Sequence, residues 1–301
     1  MKPQVIVIVG PTASGKTGLS IELAKKINGE IISSDSMQIY KDMNIGTAKP
    51  TVEEMQGIKH YMLDIVSPEE EFNVSKFKTL AENYIEEILS KGKVPIIVGG
   101  TGLYVNSLVY NINYGQVETD LEYRQELNEI ADTEGLEILY KKLMNIDPES
   151  CKKISANDRK RIIRALEIYK VTNKTKTEQD IISRQNPIKY DYKIFGLEWD
   201  RQVLYERINK RVDIMLETGL IQEVQEVIRK YKNFPTAMQG IGYKEVIEYL
   251  DNIVTEQEMI DKLKMETRRY AKRQLTWFRA NKDIVWINGE TANVVEVIKN
   301  I

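Results

Sequence analysis

Gly10-Pro11-Thr12-Ala13-Ser14-Gly15-Lys16-Thr17 fits the pattern G-x-x-x-x-G-K-[ST], a spacing suited to holding phosphate. The glycines let backbone N–H groups curl around phosphate oxygens, and a helix starting behind them offers its positive end. Lys16 supplies a point charge to the outer phosphate, and the Thr17 hydroxyl can join a Mg²⁺ shell. The same pattern also arises by chance in a strand–loop–helix turn. Its place between a buried strand and a helix favours a phosphate or pyrophosphate site, without saying which compound binds.

Proteins that hydrolyse nucleotides through such a loop usually carry a second motif, an apolar strand ending in a Mg²⁺-binding Asp. The best candidate strand here, Val94–Val98, runs instead into Gly99-Gly100-Thr101-Gly102, with a hydroxyl and no carboxylate. The acid lies after an earlier strand, in Ser33-Ser34-Asp35-Ser36. Ligands bind outside the carboxyl ends of parallel strands, so Lys16, Asp35 and Thr101 are expected to converge there. One carboxylate beside a pyrophosphate site suits general-base work. An ordinary helix cap is an equal reading of Asp35, since Ser and Asp favour that position.

The elements that must position these residues follow from periodicity. Gln4–Val9 is a β-branched run ended by Gly10, as expected of a strand buried on both faces. Thr17–Ile27 has a helical pattern, Glu30–Ser34 is a second strand, Phe77–Leu89 an amphipathic helix, and Val94–Val98 a third strand. This alternation predicts an α/β fold, a parallel sheet flanked by helices. From about Tyr114 to about Tyr190 the chain is charged and helix-prone. Strand character returns at Tyr192–Leu197 and Ile284–Ile287. The expected organisation is a core in two parts, 1–113 and 192–301, around a helical insertion, 114–191.

Composition bounds the rest. At 42% hydrophobic and 29% charged, the 301 residues can build a sizeable core and a solvated surface, which excludes a disordered chain. One cysteine, Cys151, rules out an intramolecular disulfide or a multi-cysteine zinc site, and one histidine, His60, a histidine cluster. Val5–Val9 is too short for a secretory signal, and no stretch approaches the ~20 apolar residues of a membrane span. The chain reads as soluble and cytoplasmic. Cys151 reads as a partly buried small side chain, Trp199 and Trp286 read as core, and the role of His60 is not deducible.

A wider set of motifs resembles the tRNA dimethylallyltransferases. It comprises the loop Gly10–Thr17, Ser33-Ser34-Asp35-Ser36-Met37-Gln38-Ile39-Tyr40, Ile45-Gly46-Thr47-Ala48-Lys49-Pro50 and His60-Tyr61-Met62-Leu63-Asp64-Ile65. Val98–Tyr104, Arg161–Glu167 and Ala271–Arg279 complete it, so the resemblance runs from near residue 10 to near residue 280. It implies a P-loop NTPase-like fold and a transfer rather than a hydrolysis, with monomer the family expectation. Dimethylallyl diphosphate would lie in the loop, and N6 of the adenosine just 3′ of the anticodon (position 37) would attack the allylic carbon. By that match Asp35 takes the amine proton, while Lys16, Thr17 with Mg²⁺, Thr101 and Arg211 stabilise the leaving pyrophosphate. Fixed donors placed where charge develops lower the barrier. Arg207 lies one turn from Arg211 and competes for the same role.

A target adenine must leave its stack, which requires grip on the surrounding RNA. On a helical wheel of Lys264–Arg279, Lys264, Arg268, Lys272 and Arg279 share an arc flanked by Arg269 and Arg273. Ile260, Leu263, Tyr270, Ala271, Trp277 and Phe278 occupy another. In Arg159-Lys160-Arg161-Ile162-Ile163-Arg164, Lys160, Arg161 and Arg164 lie to one side of an Ile162/Leu166/Tyr169 face. A basic helix face is usually only solvated, but the net charge of −2 makes two such concentrations stand out. The resemblance adds Asp35, Ser36, Met37, Gln38, Thr101, Arg124 and Arg159–Ile163 as contacts of the tRNA anticodon stem-loop.

Two other functions compete. A P-loop kinase binding ATP and a nucleoside, nucleotide or small alcohol would share the loop and Asp35, but would leave the basic C-terminal helix unexplained. A nucleotide-switched RNA-binding module would want a nucleotide-sensing acid after the third strand.

Overall fold

The computed structural model describes residues 2–114 and 119–301. It divides into two compact units, Met1–Val109 with Lys189–Ile301, and Tyr110–Ile188. The second unit interrupts the first in sequence, starting after helix α4 and ending before strand β5, both defined below.

The first unit opens with β1 (Gln4–Val9), α1 (Lys16–Ile27), β2 (Gly29–Ser33), α2 (Val52–Met55), β3 (His60–Tyr61), α3 (Val74–Ser90), β4 (Val94–Gly99) and α4 (Gly102–Val109). The second unit is helical: α5 (Leu121–Thr133), α6 (Leu136–Ile146), α7 (Pro148–Cys151), α8 (Arg159–Thr172) and α9 (Lys176–Ser183). The first unit resumes with β5 (Asp191–Glu198), α10 (Arg201–Glu217), α11 (Leu220–Lys230), α12 (Tyr243–Leu250), α13 (Glu256–Arg279), β6 (Ile284–Asn288) and α14 (Val294–Lys299).

The six strands form one parallel sheet in the order β3-β2-β4-β1-β5-β6. Residues Val5–Val9 are fully buried, as a strand covered on both faces demands. One face carries Ile6, Ile8, Ile31, Ile96, Phe195 and Leu197, which pack against Leu19, Leu23 and Ala24 of α1 and Val294 and Val297 of α14. Period-2 alternation turns Val5, Val7 and Ile97 the other way, toward the side served by α3.

The sheet brings the carboxyl ends of β1, β2 and β4 together. Gly99 and Gly100 are demanded by that approach rather than by flexibility. A Cβ on Gly99 would lie 2.3 Å from Ser34 Oγ, and one on Gly100 would lie 2.0 Å from Gln274 Nε2.

The helical unit has its own core of Tyr123, Leu127, Leu139, Leu143, Ile154, Ile162, Ile163, Ala165 and Leu166. Ile162 and Ile163, grouped with their basic neighbours in the sequence reading, are core residues at 0% and 5% exposure. Their side chains cannot meet a ligand. Glu167, wholly buried, accepts hydrogen bonds from the Asp120 N–H (3.0 Å) and from Arg164 (2.6 Å), and it pairs with Arg124 Nε at 2.9 Å. Cys151 is half-buried, as its small apolar character suggests.

Candidate active site

The phosphate loop leaves β1 at Gly10 and enters α1 through left-handed backbone at Ala13 (φ 61°) and Gly15 (φ 90°). Gly15 caps α1 without a side-chain hydrogen bond, so the helix turns bare N–H groups toward the loop. Lys16 folds back and donates to Pro11 O (2.6 Å) and to the buried Ser14 Oγ (3.4 Å). Burial first and the Arg211 charge second bring its ammonium down to about 7, with Asp35 opposing both. Two cations held together with little solvent make a site for an anion.

Thr12, Lys16, Thr17, Asp35, Ser36, Met37, Gln38, Arg211 and Arg273 all line one cavity of about 390 Å³. Its apolar wall includes Val98, Val212, Met215, Ile241 and Leu263. The structure thus gathers Lys16, Thr17, Asp35 and Arg211 at one cavity, while Thr101 is not among the residues that line it.

Asp35 caps a turn rather than a helix. Its Oδ1 accepts from Met37 N (2.8 Å) and Gln38 N (3.3 Å), which caps the turn, while the residue also lines the cavity. Thr101 joins it indirectly. The Thr101 hydroxyl accepts from Ser36 N (3.1 Å) and donates toward Ser36 Oγ (3.4 Å), so it steadies the turn that carries Asp35. Gln38 also has its side chain engaged internally. Nε2 donates to the Thr47 and Ala48 carbonyls, both at 3.2 Å, and Oε1 accepts from Ser33 Oγ at 3.0 Å.

Arg207 and Arg211 separate cleanly. Arg211 lines the cavity and carries an electrostatic interaction with Asp35. Arg207 lies outside it, where Nε donates to Ala13 O (2.9 Å) and the guanidinium sits 4.1 Å over the Trp199 ring. Trp199 is half-buried and packs against the cluster of Leu204, Ile208 and Ala271, in keeping with a core role. Its Nε1 donates to Ser14 O at 3.0 Å, so the indole and Arg207 brace the loop together.

Three site residues escaped the sequence reading. Gln274, 5% exposed, accepts from Thr12 N (2.9 Å) and donates to Gly100 O (3.0 Å), tying the phosphate loop to the end of β4. The Thr12 N–H is thereby engaged rather than open to phosphate. Tyr270 lines the cavity, and its phenol is pushed up by burial and then by Asp35, so it stays protonated. Tyr243 lines the wall beside Gly46. A glutamine on the apolar arc of α13 was the one available signal for Gln274.

The basic stretches are more engaged than the wheel suggests. In α13, Lys264 pairs with Asp213 (2.6 Å), Arg268 donates to Asn209 Oδ1 (2.6 Å), and Arg269 pairs with Glu266 (2.7 Å). Lys272 is exposed, and only Arg273 of this group faces the cavity. Trp277, assigned to the apolar arc, is 42% exposed and lies over Gly102. In α8, Arg159 forks onto Asp132, Arg161 pairs with Asp158 (3.3 Å), and Arg164 pairs with Glu167. His60 donates from Nδ1 to Ile58 O (2.9 Å), and burial lowers its pKa, which keeps the ring neutral.

A family model described as IPP transferase matches residues 38–281. The chain is 52% identical to the tRNA dimethylallyltransferase of Acetivibrio thermocellus over 299 residues, 99% of this chain and 96% of that one. It is 49% identical to the enzyme of the same name from Bacillus cytotoxicus, over 99% of this chain and 95% of that one. The crystal structure of the tRNA isopentenylpyrophosphate transferase of Bacillus halodurans matches with a TM-score of 0.73 at 44% identity, covering 99% and 94% of the two chains. A eukaryotic dimethylallyltransferase described as acting on tRNA matches with a TM-score of 0.80 at 34% identity, covering 99% and 76%.

Proposed function

From the chain's membership of the IPP transferase family, we propose that it transfers a dimethylallyl group from dimethylallyl diphosphate to N6 of adenosine 37 in tRNA, releasing diphosphate. The observation that carries this reading is the shared cavity, where Lys16 and Arg211 meet Asp35 beside an apolar wall. The diphosphate lies against Lys16, Arg211 and the N-terminus of α1. N6 attacks the allylic carbon, the carbon–oxygen bond to the diphosphate breaks, and Asp35 accepts the amine proton. Charge grows on the leaving diphosphate, where the two cations already stand. Thr101 acts on this chemistry through Ser36, by fixing the Asp35 turn.

Mg²⁺ fits the donor set. Thr17 offers a hydroxyl at the cavity, a hard oxygen donor of the kind that Mg²⁺ takes together with phosphate oxygens and water. Thr17 and the diphosphate would hold it, and its charge would offset that of the leaving group.

Arg273 and Arg124 are the arginines we assign to tRNA, with Lys272 next to Arg273 on α13. We take the enzyme to act as a monomer. No helix among the described residues is long and apolar enough to cross a membrane, and a tRNA substrate suits a cytoplasmic enzyme. The kinase alternative loses ground, since β4 ends in Gly99 without an acid and the named relatives are transferases.

The test is incubation with Mg²⁺, dimethylallyl diphosphate and unmodified tRNA, then nucleoside mass spectrometry. Isopentenyladenosine at position 37 is expected. Unchanged tRNA, with phosphate transfer from ATP to a small acceptor, would overturn the reading.

A further inference from the structure

Glu223 of α11 is 9% exposed and spends both carboxylate oxygens on one loop and one helix. Oε2 accepts from Asn44 N (2.8 Å) and Ile45 N (2.7 Å). Oε1 accepts from Gly46 N (3.0 Å) and from the Tyr243 hydroxyl (2.6 Å). Burial and the neighbouring Glu223 charge raise the Tyr243 pKa, so the phenol keeps its proton and remains the donor. Four donors on one buried carboxylate form a fixed anchor.

What the anchor holds reaches the reacting groups. The loop continues through Thr47 to Ala48 in left-handed backbone (φ 46°). Its Thr47 and Ala48 carbonyls receive the Gln38 amide, and the Gln38 backbone N–H in turn binds Asp35 Oδ1. Gly46 presses on the Tyr243 ring so closely that a Cβ there would lie 2.6 Å from Cε2. Gly46, Thr47, Ala48 and Tyr243 all line the cavity, whereas Glu223 does not.

We propose that Glu223 is a positioning residue for the transfer, setting the aim of Asp35 through the 44–48 loop and Gln38 and holding Tyr243 as the wall of the substrate cavity. This rests on the transfer reading above, and the unmutated enzyme is its separate control. Glu223→Gln keeps the shape but gives up acceptor capacity on one side. Misplacing a catalytic group by about an ångström costs on the order of a hundredfold, so a partial release is expected to lower kcat by about tenfold or more.

The experiment pairs steady-state kinetics with amide hydrogen exchange of the 44–48 segment, in wild type, Glu223→Gln and Tyr243→Phe. The expected result is faster exchange at residues 44–46 in Glu223→Gln, a lower kcat and a KM for dimethylallyl diphosphate close to wild type. Faster exchange with wild-type kcat would overturn the proposal. If Glu223→Gln fails to fold, Tyr243→Phe decides, since it leaves the three backbone bonds in place. A lower kcat at unchanged KM and melting temperature then supports positioning, and wild-type kcat overturns it. A wild type that transfers no dimethylallyl group overturns the underlying reading, and this proposal with it.

Discussion

Arg211 and Lys16 repel each other inside the cavity that Asp35 also lines. Burial first, and Arg211 second, bring the Lys16 ammonium down to about 7. An arriving diphosphate reverses both effects, because it supplies the negative charge that the two cations lack.

Diphosphate binding is therefore expected to take up a proton above pH 7. Titration calorimetry at pH 8, in buffers of different ionisation enthalpy, reads that proton directly. Lys16→Met is expected to abolish the uptake and weaken binding, and equal uptake in this variant would contradict the assignment. Stability of the free protein carries the same signature. Between about 7 and the ordinary value of 10.5, the unfolded chain holds a proton on Lys16 that the folded chain lacks. Stability from this group thus rises with pH across that window and is flat below it. Denaturant midpoints of Lys16→Met are expected to lose that slope.

The two neighbouring arginines are expected to divide their effects. Arg211→Gln removes a cation from the developing charge and is expected to lower kcat by about 10²–10³-fold. Arg207→Gln removes the brace on Ala13 O and Trp199, an exposed interaction worth about 1 kcal/mol. Its activity is expected to fall far less. The opposite ranking in single-turnover transfer would reassign the diphosphate cation.

Gln274 is expected to matter for stability and for the site together. Gln274→Ala strands the Thr12 N–H and the Gly100 carbonyl, at a cost of about 1–3 kcal/mol. Urea unfolding measures that cost, and an unchanged midpoint would show that neither bond counts. Gly100→Ala is expected to displace the same glutamine.

Within the helical unit, Glu167 is the anchor for Arg124 and Arg164. Glu167→Ala removes an acceptor shared by both arginines and the Asp120 N–H. The arginines are about one-third exposed, which softens the buried-pair penalty to about 1–3 kcal/mol. Arg124→Ala leaves Arg164 in place and is expected to destabilise less while weakening tRNA affinity. Filter binding and thermal melts separate the two effects.

Much of this was legible in the residues. β1, β4 and the phosphate loop are local signals, fixed by runs of β-branched residues and by glycines. The strand-end acid Asp35 was visible, and so was the missing acid after β4. What the sequence hides is long-range pairing. Nothing local says that Arg159 will fork onto Asp132, or that Glu223 will collect the N–H groups of Asn44, Ile45 and Gly46. A helical wheel reports which side is basic, but not which charges have partners. The wheel sets Ile162 on an apolar face; the resemblance groups it and Ile163 with tRNA contacts, while the side chains of both belong to the core of their unit.

The most direct test of the transfer account compares wild type and Asp35→Ala in single-turnover transfer of labelled dimethylallyl diphosphate to unmodified tRNA. Label is expected in the RNA with wild type. Asp35→Ala is expected to slow its appearance by on the order of 10²-fold or more, a full general-base contribution, with tRNA affinity largely retained. An Asp35→Ala enzyme as fast as wild type, or a wild type that leaves the RNA unlabelled, would contradict the account.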